Sequence, residues 1–140
     1  MKIRIFRDLA GIFLIYALYA VLTVWLYDMD LSAWQPADIW PIDMLAGSLL
    51  GMLLWYVLGE WVIRPHASAT TWYGTWFALL ALILGWACFV FIMESQDTSA
   101  NPNPWLHFLG GAGFFYLASV LFSPLFAKYL IWPAVIVRKW

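Results

Sequence analysis

One histidine, His107, lies inside the apolar stretches of this 140-residue chain. Gly110 and Gly111 follow it by about one helical turn, and residues without side chains would let a flat ring approach the imidazole. His107 is therefore the candidate cofactor-binding residue, as an axial ligand to haem or a chlorophyll-type pigment, or as a hydrogen-bond donor to a quinone. The competing interpretation is a polar contact near the membrane surface.

Two carboxylates, Glu60 and Asp43, are candidate proton or cation sites near opposite ends of one apolar stretch. Glu60 precedes Arg64 by four residues, a spacing that equally suits an ion pair at the end of a helix. Asp43 follows Pro41, where the dipole of a helix N-terminus would stabilise a carboxylate. Because an ionisable side chain within a membrane is a functional candidate by default, both interpretations stay open for each residue.

Other chemistries find little support in the residues. Asp28, Asp30 and either Glu94 or Asp97 could supply oxygen ligands to a divalent cation, but their spacing matches no known loop, and we predict no metal site. The single cysteine, Cys88, excludes cysteine-pair redox chemistry. Neither a nucleophile motif nor a phosphate-binding loop occurs, and no basic soluble domain points to nucleic acid. The residues favour a protein without catalytic activity of its own.

The composition indicates an all-α integral membrane protein made of one domain, residues 1–140. Hydrophobic residues make up 65% of the chain and charged residues 11%, whereas soluble domains have about 45–50% and about 25%. A membrane-spanning helix needs about 20 apolar residues. Four stretches of suitable length, separated by segments rich in Pro, Asn and Asp, are predicted to span the membrane: 9–27, 42–63, 72–93 and 105–123.

The seven Lys and Arg residues fall at the two chain ends and between the second and third predicted spans. Four spans place these segments on one side of the membrane. The other side then receives the loops 28–41 and 94–104, which contain acidic residues and no Lys or Arg. The positive-inside rule then predicts that both termini are cytoplasmic, in the plasma membrane or, in a bacterium, the inner membrane. Residues 125–140 are predicted to form an interfacial tail, although a longer, kinked fourth helix competes with that prediction.

Small residues recur at helical spacing, which favours close packing between membrane helices. Whether the packing partner belongs to this chain or to another is left open by the sequence. The predicted packing residues are Gly47 and Gly51 in the second span; Gly74, Ala78, Ala81 and Gly85, in line with Cys88, in the third; and Gly110, Gly111 and Gly113 in the fourth.

These features favour a small accessory subunit of a larger membrane complex. Such a subunit would contact lipid, pack against larger spanning subunits and help hold a lipid, a quinone or another apolar cofactor, for which the eleven tryptophans offer stacking surfaces. The alternative is a homo-oligomeric transporter or channel that uses Glu60 and His107. A membrane enzyme acting on lipid or quinone is the third and weakest hypothesis.

Overall fold

The computed structural model describes residues 2–63 and 69–122, and every regular element within those ranges is helical. This confirms the predicted all-α fold. In chain order the elements are α1 (Lys2–Leu26), a 3-10 turn (Pro36–Asp38), α2 (Ile39–Val57) with a π-helical continuation (Leu58–Ile63), α3 (Ala69–Gln96), a π-helical segment (Leu106–Ala112) and α4 (Gly113–Phe122).

Three helices of the described ranges are long and apolar enough to cross a membrane, as the composition predicted for an integral membrane protein. They are Ile3–Leu26, Pro36–Trp61 and Tyr73–Gln96. The fourth apolar helix, Leu106–Phe122, is shorter. The predicted tail, residues 125–140, and the basic loop residues Arg64 and His66 lie outside the described residues.

The helices extend beyond the apolar stretches from which they were predicted. α1 begins at Lys2 rather than at residue 9. α2 begins at Ile39 and contains Pro41, since proline is tolerated in a first turn whose N–H groups need no helical partner. α3 continues through Glu94 to Gln96. The prediction that Glu94 lies in a loop was therefore wrong, and the reason is tertiary: its buried carboxylate finds a partner on the following helix.

One face of α3 packs into the bundle. Its buried residues recur every three or four positions and so lie on one side of the helix. The outward face carries the small residues of the predicted packing stripe. The buried residues are Trp76, Leu79, Ile83, Ala87, Val90 and Glu94.

Hydrogen bonds between helices cross the buried core. The Tyr16 hydroxyl donates to the Ser48 carbonyl over 3.0 Å, and the Ser48 hydroxyl donates to the Gly111 carbonyl over 2.6 Å. The Trp76 indole N–H donates to the Ser119 hydroxyl over 2.9 Å. Such bonds help join membrane helices because lipid provides no competing partner. They fix the register of α1, α2, α3 and α4 in the bundle.

After α1, the chain turns at Asp28, whose backbone adopts the left-handed conformation. Its φ is 49°, a conformation that asparagine and aspartate tolerate better than most residues. The N–H of Asp28 donates to the Trp25 carbonyl over 3.3 Å, and the N–H of Met29 to the Val24 carbonyl over 3.0 Å. These two bonds form a Schellman motif, with Asp28 in the place usually held by glycine. The chain reverses there and starts the connection to α2.

The predicted packing glycines divide into two groups. A Cβ on four of them would meet a side chain of another helix, so these positions hold the bundle together closely: Gly47 against Trp86, Gly51 against Ile83, Gly110 against Tyr19 and Gly111 against Met44. A Cβ on the other three, Gly74, Gly85 and Gly113, would meet no atom within 4 Å in the described part of the chain.

Candidate functional site

His107 lies at what we call the hairpin end of the bundle, where the α1–α2 and α3–α4 connections meet. Its side chain is fully buried. It belongs to the π-helical segment before α4, and π-helical turns occur frequently at functional sites because they displace side chains from regular helical positions. Three helical elements therefore position the surroundings of His107: the end of α1, the end of α3 and the start of the fourth helix.

A three-residue polar cluster forms around His107, and we call Tyr27, Glu94 and His107 the hairpin cluster. The His107 Nε2 and the Glu94 Oε2 form a short hydrogen bond. The Tyr27 hydroxyl donates to the same Glu94 oxygen over 3.3 Å and lies 3.1 Å from His107 Nε2. The backbone N–H of Asn103 donates to the Tyr27 oxygen over 3.3 Å. The loop before the fourth helix thus holds the tyrosine in place.

Each buried member of the His107–Glu94 pair keeps one atom without a hydrogen-bond partner among the described residues. These atoms are Glu94 Oε1 and His107 Nδ1. A buried polar atom without a partner costs about 1–3 kcal/mol. In a neutral imidazole that donates its Nε2 proton to Glu94, Nδ1 is an acceptor, as is Oε1. The cluster can therefore receive a further hydrogen-bond donor.

A cavity of about 450 Å³ adjoins the hairpin cluster. The buried Glu94 and the half-buried Tyr27 line it on the side of the bundle, and the two connecting loops form the rest. Among the described residues that line the cavity, four carry carboxylates and none is basic. The lining residues are Tyr27, Asp28, Met29, Asp30, Gln35, Pro36, Ala37, Asp38, Glu94, Ser99, Ala100 and Asn101.

Hydrogen bonds within the loops keep the hairpin end negatively charged. The Ser32 hydroxyl and N–H donate to Asp30 over 2.7 and 2.9 Å, and they lower the pKa of that carboxyl. Bonds from the Ser99 hydroxyl, the Trp40 indole and the Ser99 N–H lower the pKa of Asp97 in the same way. Both carboxyls are therefore ionised at neutral pH.

The space predicted for a flat cofactor beside His107 is filled by the protein itself. The nearest atom of the Tyr19 ring lies 2.7 Å from where a Cβ of Gly110 would be, and Met44 lies against Gly111. Tyr19 also stacks on Phe114, with ring centroids 4.8 Å apart. The glycines next to His107 thus accommodate side chains of α1 and α2, and the polar partners of His107 come from Tyr27 and Glu94.

Glu60 belongs to a different cluster at the opposite end of the bundle, which we call the terminal end. Its buried carboxylate accepts a hydrogen bond from Arg4 over 2.6 Å. Close by, Asp8 is paired with Arg7 over 3.1 Å and accepts a hydrogen bond from Tyr56 over 3.2 Å. Sequence reasoning offered Arg64, which lies outside the described residues, as one partner for Glu60, and it overlooked Asp8. The available signal was a carboxylate directly between Arg7 and the apolar stretch.

Asp43 joins neither cluster. It is half-buried in the second turn of α2, and its backbone carbonyl accepts a hydrogen bond from the Trp86 indole over 3.0 Å. Because α2 begins at Ile39, Asp43 does not occupy the helix N-terminus at which it was predicted. Glu60 and His107 lie at opposite ends of the bundle. Their hydrogen-bond partners Arg4 and Tyr27 are about 35 Å apart along the axis of α1.

Within residues 2–63 and 69–122, no group of three or more His, Cys, Asp or Glu residues is placed to hold a metal ion. Comparisons of the chain with protein-family models, with curated proteins and with solved structures gave no match.

Proposed function

We propose that this protein is a small accessory subunit of a larger integral membrane complex, and that the outward face of α3 receives a transmembrane helix of a larger subunit. The observation that carries the proposal is the position of the small-residue stripe. Its members are all exposed on the single chain and face away from the bundle core: Gly74, Ala78, Ala81, Gly85 and Cys88.

The stripe has the shape of a helix-binding groove. At 100° per residue it lies on the side of α3 opposite the buried face, and it extends for about 21 Å along the helix. Larger exposed side chains border it on both sides, with Phe77 and Leu84 on one and Leu82 and Phe89 on the other. Small residues in membrane helices favour the close approach of another backbone, whereas lipid gains nothing from them.

The other glycine motifs support the assignment of the partner to a different chain. Gly47, Gly51, Gly110 and Gly111 already contact this chain's own helices. The groove on α3 accommodates one helix that places its larger side chains in it. Small-residue stripes also pair with copies of themselves, so a second copy of this chain is the competing occupant that the crosslinking experiment must distinguish. A larger spanning subunit provides the complementary ridge. It would also cover the exposed apolar side chains beside the stripe.

We further propose that the bundle crosses the membrane four times with both termini in the cytoplasm, in a plasma membrane. The support is the distribution of charge, since the seven Lys and Arg residues fall only in segments that four crossings place on one side. In this orientation the hairpin end faces the outside of the membrane. The subunit hypothesis also includes a quinone or lipid held against the tryptophan-rich surface.

A photo-crosslinking residue at position 81, in the middle of the stripe, tests the subunit proposal in the native membrane. We expect one defined adduct with a larger membrane protein, recovered in constant proportion to the chain in mild detergent. Gly85→Leu should reduce that adduct at least fivefold, because the side chain fills the groove. Gly113→Leu is the matched control: it adds the same side chain at an exposed helical glycine with open space around it, and the adduct should persist.

Three results would contradict the proposal. An adduct with a mass of two copies of this chain would assign the stripe to a homodimer, and oxidative crosslinking through Cys88 would show the same. Crosslinking to lipid alone would make the stripe a lipid-facing surface. Equal loss of the adduct in the Gly85→Leu and Gly113→Leu variants would show that the partner does not bind specifically at the stripe.

The alternative function, a homo-oligomeric transporter or channel that uses Glu60 and His107, stays a prediction. One observation favours its His107 part: a buried histidine and a buried carboxylate lie next to a polar cavity at the hairpin end. Glu60, in contrast, is paired with Arg4 at the terminal end. A pathway that used both residues would need polar groups along about 35 Å between them.

A further inference from the structure

We propose that the cavity at the hairpin end binds a small organic cation through its primary ammonium group, with Glu94 as the main anchor. This inference concerns a different surface from the α3 stripe and stands independently of the accessory-subunit proposal. It follows from the size of the cavity, the charge of its wall and the missing partner of one buried oxygen.

The size of the cavity indicates a molecule rather than a bare ion or a single water. Its volume of about 450 Å³ falls in the usual range of small-molecule sites, about 300–1,000 Å³. A water molecule takes about 30 Å³. Metal ions also need several ligands close together, and the described residues provide no such group of three. A compact organic molecule suits the space better.

The wall of the cavity selects a positive charge. Asp28, Asp30, Asp38 and Glu94 contribute carboxylates, and none of the described lining residues is a Lys, Arg or His. Two of the acids are partly held by the loops: Asp30 accepts from Ser32, and Asp38 accepts from the Gln35 N–H over 2.9 Å. An anion would be repelled, whereas a cation would offset the mutual repulsion of these carboxylates.

The second, independent observation is the unpartnered oxygen of Glu94. Glu94 is one of the residues that line the cavity, and its side chain is fully buried. Its Oε2 accepts a hydrogen bond from Tyr27, and its Oε1 has no partner among the described residues. A carboxylate oxygen is an acceptor, so only a ligand that donates satisfies it. An ammonium group provides the donor and the charge together, and bonds of that kind are the stronger ones.

The aromatic content of the wall distinguishes a primary from a quaternary ammonium. Quaternary ammonium groups have no N–H and are recognised by several aromatic rings that surround the charge. Among the described lining residues Tyr27 is the only aromatic one, and its hydroxyl is already bonded to Glu94. The site is therefore built for hydrogen bonds from N–H groups, with the loop carboxylates around the rest of the molecule.

The test uses the full-length chain in lipid nanodiscs and isothermal titration calorimetry with n-butylammonium as the probe. Tetramethylammonium and Mg²⁺ serve as comparison cations. We expect saturable binding of one n-butylammonium per chain. Tetramethylammonium should bind at least about tenfold more weakly, because it cannot donate a hydrogen bond to Glu94 Oε1. Mg²⁺ should not compete at equal concentration.

Variants separate the anchor from general negative charge. Glu94→Gln should weaken n-butylammonium binding at least about tenfold, since it removes a charge-assisted hydrogen bond. Asp43→Asn removes one carboxylate from α2 outside the cavity and should leave the affinity unchanged. If Glu94→Gln does not fold, Asp30→Asn keeps the test valid, because it changes an exposed loop acid that lines the cavity and should weaken binding about threefold.

Absence of n-butylammonium binding to the folded chain would overturn the inference. So would equal affinity for tetramethylammonium or Mg²⁺, which would show simple counterion accumulation. Unchanged affinity in a folded Glu94→Gln variant would refute the role of Glu94 as the anchor. If Glu94→Gln does not fold, unchanged affinity in Asp30→Asn would refute binding in this cavity. None of these results bears on crosslinking at position 81, so failure of this inference and failure of the subunit proposal are distinguishable.

Discussion

Replacing Gly110 by alanine is expected to destabilise the bundle, although alanine is the better helix former. The ring of Tyr19 from α1 lies directly on this glycine: an added Cβ would be 2.7 Å from Cε2 and 3.0 Å from the ring Cζ. Ordinary contact requires about 3.4 Å or more, so one of the two groups must move. The movement required is therefore more than half an ångström.

Tyr19 has little freedom to move away. Its side chain is fully buried, it stacks on Phe114 with an angle of 7° between the rings, and its hydroxyl donates to the Leu106 carbonyl over 3.2 Å. Adding volume to a well-packed core costs about 1–3 kcal/mol. Alanine in place of glycine within a helix returns about 0.5–1 kcal/mol. The net loss at position 110 is thus about 0–2.5 kcal/mol.

Gly113→Ala is the matched control, because it lies in the same helix and a Cβ there meets nothing within 4 Å of the described residues. It keeps the helical gain without the clash. Gly110→Ala should therefore be about 1–3 kcal/mol less stable than Gly113→Ala. The two variants are compared by reversible unfolding in mixed micelles, followed by near-ultraviolet circular dichroism at several denaturant concentrations.

A double-mutant cycle assigns the effect to the contact. Tyr19→Leu removes the ring, so the added penalty of Gly110→Ala should shrink by at least about 1 kcal/mol in the Tyr19→Leu background. Equal stability of Gly110→Ala and Gly113→Ala would refute the reasoning. An unchanged penalty after Tyr19→Leu would show that the glycine is needed for the π-helical backbone rather than for the ring.

Two further predictions concern the terminal end and the topology. Arg4→Met should lower the free energy of unfolding by about 1–3 kcal/mol, because a buried Glu60 loses a hydrogen bond from a charged group. The side chain of Arg7 is 73% exposed, so Arg7→Met should lower the free energy of unfolding by less than about 1 kcal/mol. Denaturant unfolding measures both, and a larger loss in Arg7→Met than in Arg4→Met would contradict the prediction. Single cysteines introduced at Ala33 and Thr98, on a background without the native cysteine, should both react with an impermeant maleimide from outside intact cells, and reaction from different sides would exclude four crossings.

Much of the fold could be predicted from the sequence because apolar composition and helical length follow from local properties of the chain. The three long helices correspond to predicted spans, and Pro36 and the 101–104 segment mark the connections. The ends of the helices were less predictable. Glu94 carries a charge and follows an apolar stretch, so local reasoning places it in a loop, whereas its buried contact with His107 keeps it in α3.

The candidate site shows the same division. His107 could be singled out because a histidine within an apolar stretch is rare. Its partners could not be, since Tyr27 and Glu94 are 80 and 13 residues away in sequence. Asp8 was overlooked for a related reason: a carboxylate beside Arg7 resembles a surface charge until Tyr56 is placed against it.

Sequence alone determined that this chain is helical and apolar enough for a membrane, because those properties sum over residues independently of their neighbours in space. Tertiary structure decided which glycines contact another helix. It packed Gly110 against Tyr19 and left Gly85 open, although both are glycines within apolar helices. It also placed the hairpin cluster beside an acidic cavity, because the contacts between helices, and not their composition, fix how each helix is rotated about its own axis.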